Sequence, residues 1–513
     1  MRCSLRANLL SVCFPKKNCV ECYWNFLPLR FKLFAVFLPY GCLVVFCRAA
    51  ASGEERKTIL GRILVMTIRA SRTARLELAA ATDHTTTPPL VQPALVGDQH
   101  GIFEFLTSVF HAPTATQFQN QLDDPFYEPS DRQLLHHQGK IAGHVRVVPR
   151  EIRFGGLQLP VAEVCELAVA SPLRHRGFGA LLLRAAERRA ASDKAVLGFV
   201  RSAGSPWFQR RGWVPLTAFC YSQCNTREML ARLSEDEPAP TPTCELIHQQ
   251  QRLLPISTRI WRHVEREALM RIYDANTRDA YGPVVRSEDY WHWLISRPGF
   301  GQVYVAVEGR DRCSLDNTPL VGYAVVHRDR VVELMADPRR PDAIRFLLAR
   351  VGGEFIEHDF HNFRLEAPPN STQHELLRSA GGQFVHKETD HGQRWHVRIL
   401  DSRALLELVN PVLAARARRA QLPDCELSVV GGEHNWRFQW RANRLASDLS
   451  VGADHQLLGD AALPAQLILA QISVDDALAA GRLRVTSEQA RDAARVLFAP
   501  QPYWHTPLDY FNP

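Results

Sequence analysis

Residues 161–213 read VAEVCELAVASPLRHRGFGALLLRAAERRAASDKAVLGFVRSAGSPWFQRRGW. The order is an extended run, a basic loop, a helical stretch and a second extended run. Residues 161–170 suit a strand, whose alternation puts Glu163, Cys165, Leu167 and Val169 on one face and Glu166 on the other. The loop is Arg174-His175-Arg176-Gly177-Phe178-Gly179-Ala180. An apolar, arginine-rich helix is expected over 181–191, and 195–200 return as a short strand.

This order suits an anion. The start of a helix leaves backbone N–H groups without intrahelical partners, and its dipole favours negative charge. Glycines let a ligand approach the backbone with no Cβ in the way. Arg174 and Arg176 add forked donors for phosphate. A pyrophosphate is therefore the expected ligand of 174–180. The loop is no dinucleotide fingerprint, because Gly-x-Gly-x-x-Gly fails at Leu182. It is no Walker loop, because no Gly-Lys-Ser/Thr follows.

The stretch resembles the acetyl-CoA loop of the GNAT acyltransferases, Arg/Gln-x-x-Gly-x-Gly/Ala, at Arg174, Gly177 and Gly179. Ser171-Pro172 upstream is also typical of that family. Trp207-Phe208-Gln209-Arg210-Arg211-Gly212-Trp213 looks like its aromatic-x-x-x-Gly-aromatic signature on the fourth helix. The resemblance covers roughly 91–226. It implies acetyl-CoA as cosubstrate, with the pyrophosphate on Arg174, His175, Arg176, Gly177, Phe178, Gly179 and Ala180. It also implies that the backbone of Leu167, Ala168 and Val169 lies along the pantetheine arm, and it implies no metal. Glu163, eleven residues before Arg174, stands where some relatives carry a general-base glutamate. The tyrosine that in many relatives protonates the leaving thiolate corresponds to Phe208, which has no proton to give. Ser205, Tyr221 or a water are the substitutes the sequence offers.

The whole chain has 513 residues, 46% hydrophobic and 22% charged, with a net charge of +7. That length implies about three domains. The charge suits an anionic ligand, but no concentrated basic stripe points to nucleic acid. Of twelve cysteines, six lie in the first 47 residues and the rest are scattered singly, which suits a reducing, cytoplasmic compartment over a disulfide framework. Cys19-x-x-Cys22 has no second pair to complete a metal site. The apolar run 33–47 contains Pro39 and is short for a membrane span. Residues 1–88 are expected to be a leader without order of its own or, up to Met66, an over-long start.

A catalytic GNAT unit is expected over 89–233, with a helix at 102–110 and strands at 132–137, 141–148 and 151–154. The acidic, proline-alternating stretch 234–255 reads as a linker. Residues 256–399 repeat the helix, meander and strand order, but their loop, Asp337-Pro338-Arg339-Arg340-Pro341-Asp342, has no Gly-x-Gly and loses donors at its prolines. It resembles a degenerate second GNAT unit without acetyl-CoA. Residues 400–513 resemble a sterol-carrier-protein-like domain, chiefly in Asp475-x-x-Leu478-x-x-Gly481-x-Leu483. The expected fold class is thus mixed α/β: two GNAT-type mixed sheets flanked by helices, then an α+β domain. This order resembles the enhanced-intracellular-survival acetyltransferases. In that group the chain's own terminal carboxylate acts as base, and here that group would be Pro513, a rival to Glu163. The resemblance implies an N-acetyltransferase acting on a small-molecule or lysine-like amine, with no membrane span and with assembly into homo-oligomers open. The competing reading is a non-catalytic acyl-CoA or lipid-binding protein, motivated by Phe208 and the sterol-carrier-like end.

Overall fold

Gly155 and Gly156 both adopt positive φ, 59° and 87°, the backbone that a two-residue hairpin turn requires. They join the two long strands on which the site is built. The computed structural model describes residues 20–26, 29–37, 43–49, 90–216, 219–235, 254–297, 300–309, 319–387, 392–450, 452 and 454–510. The chain divides into two units, Met1–Pro88 and Pro89–Pro513. In the first, Val20–Phe26, Leu29–Phe37 and Leu43–Ala49 form an antiparallel three-stranded sheet. The leader expectation for the rest of 1–88, and Cys19 of the spaced cysteine pair, lie outside the described residues.

The first sheet of the second unit is built from β1 (Leu90–Pro93), β2 (Arg132–His137), β3 (Lys140–Phe154), β4 (Leu157–Val169), β5 (Leu197–Ser202) and β6 (Val214–Leu216). Helices α1 (Gln99–Phe110) and α2 (Ala115–Leu122) join β1 to β2, α3 (Phe178–Ser192) joins β4 to β5, and α4 (Ser205–Gln209) precedes β6. Helix α2 starts at a reciprocal cap, in which the Thr114 hydroxyl accepts from the Gln117 amide and the Gln117 side chain accepts from the Thr114 amide. Helix α3 buries Leu182, Leu183, Ala186 and Ala190, spaced for one face, against Val145, Val147, Ala162 and Val164 of β3 and β4.

The chain then leaves this sheet. Strand β7 (Phe219–Asn225) and helix α5 (Thr226–Glu235) come next, followed by β8 (Ile256–Ile260), α6 (Arg266–Thr277), β9 (Tyr281–Val284), α7 (Glu288–Ser296), β10 (Gln302–Glu308), β11 (Leu320–His327) and β12 (Arg330–Ala336). After α8 (Ala343–Glu357) come β13 (Asn362–Glu366), α9 (Thr372–Ser379), β14 (Gln383–Lys387) and β15 (Arg394–Ile399). The second sheet runs β8-β10-β11-β12-β13-β7-β14, and the first runs β1-β2-β3-β4-β5-β15-β6 with β9 against β3. The two sheets therefore exchange strands. β7 leaves the first stretch to pair with β13 and β14, and β15 leaves the second to pair with β5 and β6. Pulling them apart would open four ladders and strand their backbone donors and acceptors.

The last stretch begins with α10 (Ser402–Arg419) and forms a five-stranded sheet with helices. Leu405, Val409, Leu427, Trp436 and Leu497 share one apolar core with Ile152, Leu159, Val161, Leu197 and Phe199 of the first sheet. The first sheet is thus covered by α3 on one face and by this stretch on the other. The chain then returns. Tyr503 bridges to Tyr281, the Trp504 amide donates to the Tyr281 carbonyl at 2.9 Å, and a short α11 (Pro507–Tyr510) buries Leu508. The overall class is mixed α/β, as expected. Among the described residues no helix is long and apolar enough to cross a membrane.

Candidate active site

Strand β4 is regular only up to Cys165. Its register on β3 shifts between His144 and Arg146: Cys165 faces Arg146, Ala168 faces His144, and Glu166 with Leu167 oppose Val145 alone. This is a β-bulge, and its extra residue, Glu166, has φ 54°. The bulge corrects the simple alternation expected from sequence. Glu163, Cys165 and Glu166 all line the same cavity, so Glu166 is not on the opposite face.

Five hydrogen bonds hold the bulge. The Glu166 carboxylate accepts from Arg132 Nη1 at 2.8 Å and from Gln121 Nε2 at 2.7 Å. Arg132, fully buried, also bonds Gln121 Oε1 at 2.6 Å. His144 Nε2 lies 3.1 Å from Arg132 Nη1, and His144 Nδ1 lies 3.1 Å from the Glu166 carbonyl. Arginine only donates, so Nε2 must accept and Nδ1 must carry the proton that reaches the carbonyl. Burial keeps this imidazole neutral, lowering its pKa to about 4. Burial works to raise the Glu166 pKa, but the Arg132, His144 and Arg146 charges and the Gln121 hydrogen bond outweigh it and hold it below the usual carboxylate value.

On the other side of β4 the ladder with β5 is parallel and ends at Glu163 opposite Phe199, although the strands run on to Val169 and Ser202. Beyond Glu163 the two strands part. Leu167, Ala168 and Val169 lie on the β4 side of that opening. The loop at its mouth is exposed from Arg174 to Gly177. Arg174 folds back, its Nε donating to the Val169 carbonyl at 3.1 Å. His175 and Gly177 take φ 65° and 88°, and the left-handed Gly177 starts α3 at Phe178, three residues earlier than its apolar pattern suggested. The first amide bonded back is that of Ala180, to the Gly177 carbonyl at 3.0 Å. A Cβ on Gly179 would sit 3.3 Å from the Trp207 ring, so that ring closes on the loop.

The cavity holds about 590 Å3 between α2, β3, β4, α7 and the returning chain end. Arg146, Arg150, Glu163, Trp293 and Tyr510 are among its walls. Arg150 donates to Asp124 at 2.5 Å and stacks on Tyr290 at 4.9 Å. The Trp293 indole N–H donates to the Asn120 carbonyl at 2.7 Å, tying α7 to α2. Burial raises the Glu163 pKa above the ordinary carboxylate value, against the opposing pull of Arg150, Arg146 and Arg201. Burial also pushes the Cys165 thiol up, which keeps it protonated and a poor nucleophile.

Phe208 is 4% exposed, in the apolar core beneath α3, edge-on to Trp213 and 5.6 Å from the His396 ring. Tyr221 belongs to β7 in the second sheet, under the Arg364 guanidinium at 3.6 Å. Pro513 lies outside the described residues, but the chain reaches the cavity wall at Tyr510, three residues before its end. Sequence reasoning missed Arg146, Arg150 and Asp509, because only the tertiary fold brings them to the cavity beside Glu163. In the second sheet the loop after β12 consumes its own cation. Arg340 forks onto Asp342 at 3.0 and 2.8 Å and bonds Glu308. Among the described residues no group of His, Cys, Asp and Glu is arranged to hold a metal.

Residues 91–216 match the family model described as the acetyltransferase (GNAT) domain. No curated protein matches the sequence. Solved structures of similar fold include a GCN5-related N-acetyltransferase from Anabaena variabilis, 13% identical, TM-score 0.61, covering 82% of this chain and 99% of that one. Another from Kribbella flavida is 16% identical, TM-score 0.61, covering 83% and 99%. Eis1 from Mycobacterium abscessus is 17% identical, TM-score 0.53, covering 81% and 99%. At these identities the likeness establishes the fold.

Proposed function

We propose that the chain, whose residues 91–216 match the acetyltransferase (GNAT) domain, is an acetyl-CoA-dependent N-acetyltransferase that moves the acetyl group directly to a primary amine in a ternary complex. The observation that carries this reading is the placement of Glu163. It stands where β4 and β5 part, with the basic glycine loop at the far end of β4 and a half-closed cavity in front.

The chemistry follows from that placement. Acetyl-CoA lies in the opening with its pyrophosphate on the amides and side chains of 174–180 and its pantetheine along Leu167, Ala168 and Val169. The amine enters from the cavity. Its lone pair attacks the thioester carbonyl, its proton passes to a base, and the C–S bond breaks to release CoA thiolate. Glu163 is the base, since its raised pKa moves it toward the working range of a proton acceptor. The terminal carboxylate of Pro513 is the second reading for that role, and the approach of Tyr510 to the cavity favours it. Amides released by the bulge around Leu167 stabilise the oxyanion. Phe208 cannot supply the thiolate's proton, so a water does. Direct transfer is preferred to an acetylated cysteine because burial keeps Cys165 protonated. We read 256–399 as a silent GNAT-like unit and 400–513 as sterol-carrier-like, supported by the loop that neutralises Arg340 and by the five-stranded sheet with helices.

The test is thiol release from acetyl-CoA by the full chain against a panel of amines. Amine-dependent release with intersecting initial-rate patterns is expected. Acetyl-CoA binding without release for any amine would favour the non-catalytic acyl-CoA-binding reading.

A further inference from the structure

Arg146 is a buried cation with no hydrogen bond among the described residues. Its side chain is 8% exposed, its Nε has no partner, and its nearest carboxylate oxygen, on Asp124, is 3.8 Å away. That carboxylate is already taken by Arg150 at 2.5 Å. The other charges around the cavity are matched. Arg132 holds Glu166, and Arg286 holds both Asp509 and Glu333. Arg297 donates to the Leu508 carbonyl at 2.8 Å and lies over Trp293. Glu163 is the counterpart of Arg146: a carboxylate on the cavity wall with no hydrogen bond among the described residues.

The site therefore presents one unbonded carboxylate and one unbonded guanidinium. A buried guanidinium left without hydrogen bonds is costly, and it needs an anion of good geometry to offset the desolvation. The strand register sets the spacing. Arg146 faces Cys165 and Val148 faces Glu163, so Arg146 and Glu163 are diagonal neighbours on one face of an antiparallel pair, roughly 7–8 Å apart at their backbones. Both side chains line the cavity, so a ligand a few bonds long would reach both.

We propose, resting on the acetyltransferase reading of this pocket, that its acceptor is an amino-acid-type zwitterion: the amine meets Glu163, and a carboxylate a few bonds away is forked by Arg146. A guanidinium and a carboxylate match as two parallel N–H···O bonds, which fixes the acceptor's orientation as well as its charge. Polycationic acceptors, such as linear polyamines, bring a second positive charge toward Arg146 and are disfavoured.

The experiment uses the full chain with acetyl-CoA and the twenty amino acids, each beside its methyl ester and its decarboxylated amine. Esterification lowers the basicity of the amine and makes it the better nucleophile at neutral pH, so a preference for the free acid is a conservative sign. Expected is at least a tenfold higher kcat/KM for one or more free acids over the ester and the amine. Arg146→Met should shrink that ratio to within about twofold, and Arg146→Lys should retain part of it. Esters and amines turned over as well as the acids would overturn the proposal and leave the acetyltransferase reading standing. No turnover of any amine by a protein that binds acetyl-CoA would overturn both. A chain ending at Tyr510 guards the remaining case. If the effect of Arg146→Met is equal for acid and ester and vanishes in that shortened chain, Arg146 serves the chain's own end and the proposal falls.

Discussion

Glu163 concentrates the chemistry in one side chain. Burial disfavours its charged form, while Arg150, Arg146 and Arg201 favour it. A base must be deprotonated to act, so activity rises with pH through its pKa. The acidic limb of kcat/KM is expected to have its midpoint above that of an ordinary carboxylate. Glu163→Gln should remove that limb and lower kcat by about 100-fold, the usual size of a general-base contribution. The pH–rate profile decides between the two carboxylates. A limb that survives in Glu163→Gln and disappears when residues 511–513 are removed would transfer the role to the chain end. Acetyl-CoA binding by calorimetry should be unchanged in Glu163→Gln, which separates loss of chemistry from loss of fold.

At the scale of the element, β4 does two jobs because the bulge divides it. Up to Glu163 it is a ladder partner of both β3 and β5. Beyond Glu163 it leaves β5 and faces the opening, while its ladder with β3 resumes at Ala168 past the bulge. His144, Arg132 and Gln121 hold the bulge by bonds that need no charge change near neutral pH. The start of helix α3 depends on Gly177 at φ 88°. Space does not require glycine there, since a Cβ would meet nothing within 4 Å. The requirement is conformational: a β-branched residue in that backbone costs about 1–2 kcal/mol and would reset the loop. Gly177→Val is expected to weaken acetyl-CoA binding at least tenfold by calorimetry, with the thermal unfolding midpoint shifted by only a few degrees. Unchanged acetyl-CoA affinity would remove the loop from the pyrophosphate site.

At the scale of the molecule, the cavity has walls from distant parts of the chain, and one buried cluster holds them. Arg286, just after β9, bonds Glu333 of β12 at 2.9 and 2.6 Å and Asp509 of the chain end at 2.9 and 3.0 Å. Tyr323 donates to Glu333 at 2.7 Å, and the Arg286 guanidinium lies 3.9 Å from the Tyr273 ring. All three charged side chains are essentially unexposed. Removing the cation leaves two uncompensated buried carboxylates, a loss of about 3–5 kcal/mol. Arg286→Met is therefore expected to lower the denaturation midpoint strongly. At a temperature where it is still folded, KM for the amine should rise while acetyl-CoA affinity holds, because Tyr510 leaves the cavity wall and the glycine loop does not move. Equal losses of both affinities would indicate general unfolding and not a role in placing the chain end.

By itself the sequence determined the local parts. Alternation marked β4, the arginines and glycines of 174–180 marked a basic, glycine-bearing loop before a helix, and apolar spacing marked α3, because these features depend on backbone geometry a few residues long. The prolines at 338 and 341 likewise showed that the loop after β12 lacks two amide donors. What only the tertiary structure decided is which distant groups share the cavity. The bulge that turns Glu166 into it is stabilised by Arg132, Gln121 and His144, none of them a neighbour in sequence. The exchange of β7 and β15 between sheets is a choice among equivalent ladder partners, and periodicity does not distinguish them. Phe208 occupies a position that the motif associates with the cofactor, yet its ring is buried against Trp213, because packing sets where a side chain points. The juxtaposition of Glu163 and Arg146 belongs to this second class: cross-strand register sets them diagonally on one face, and register is settled only when the whole sheet forms.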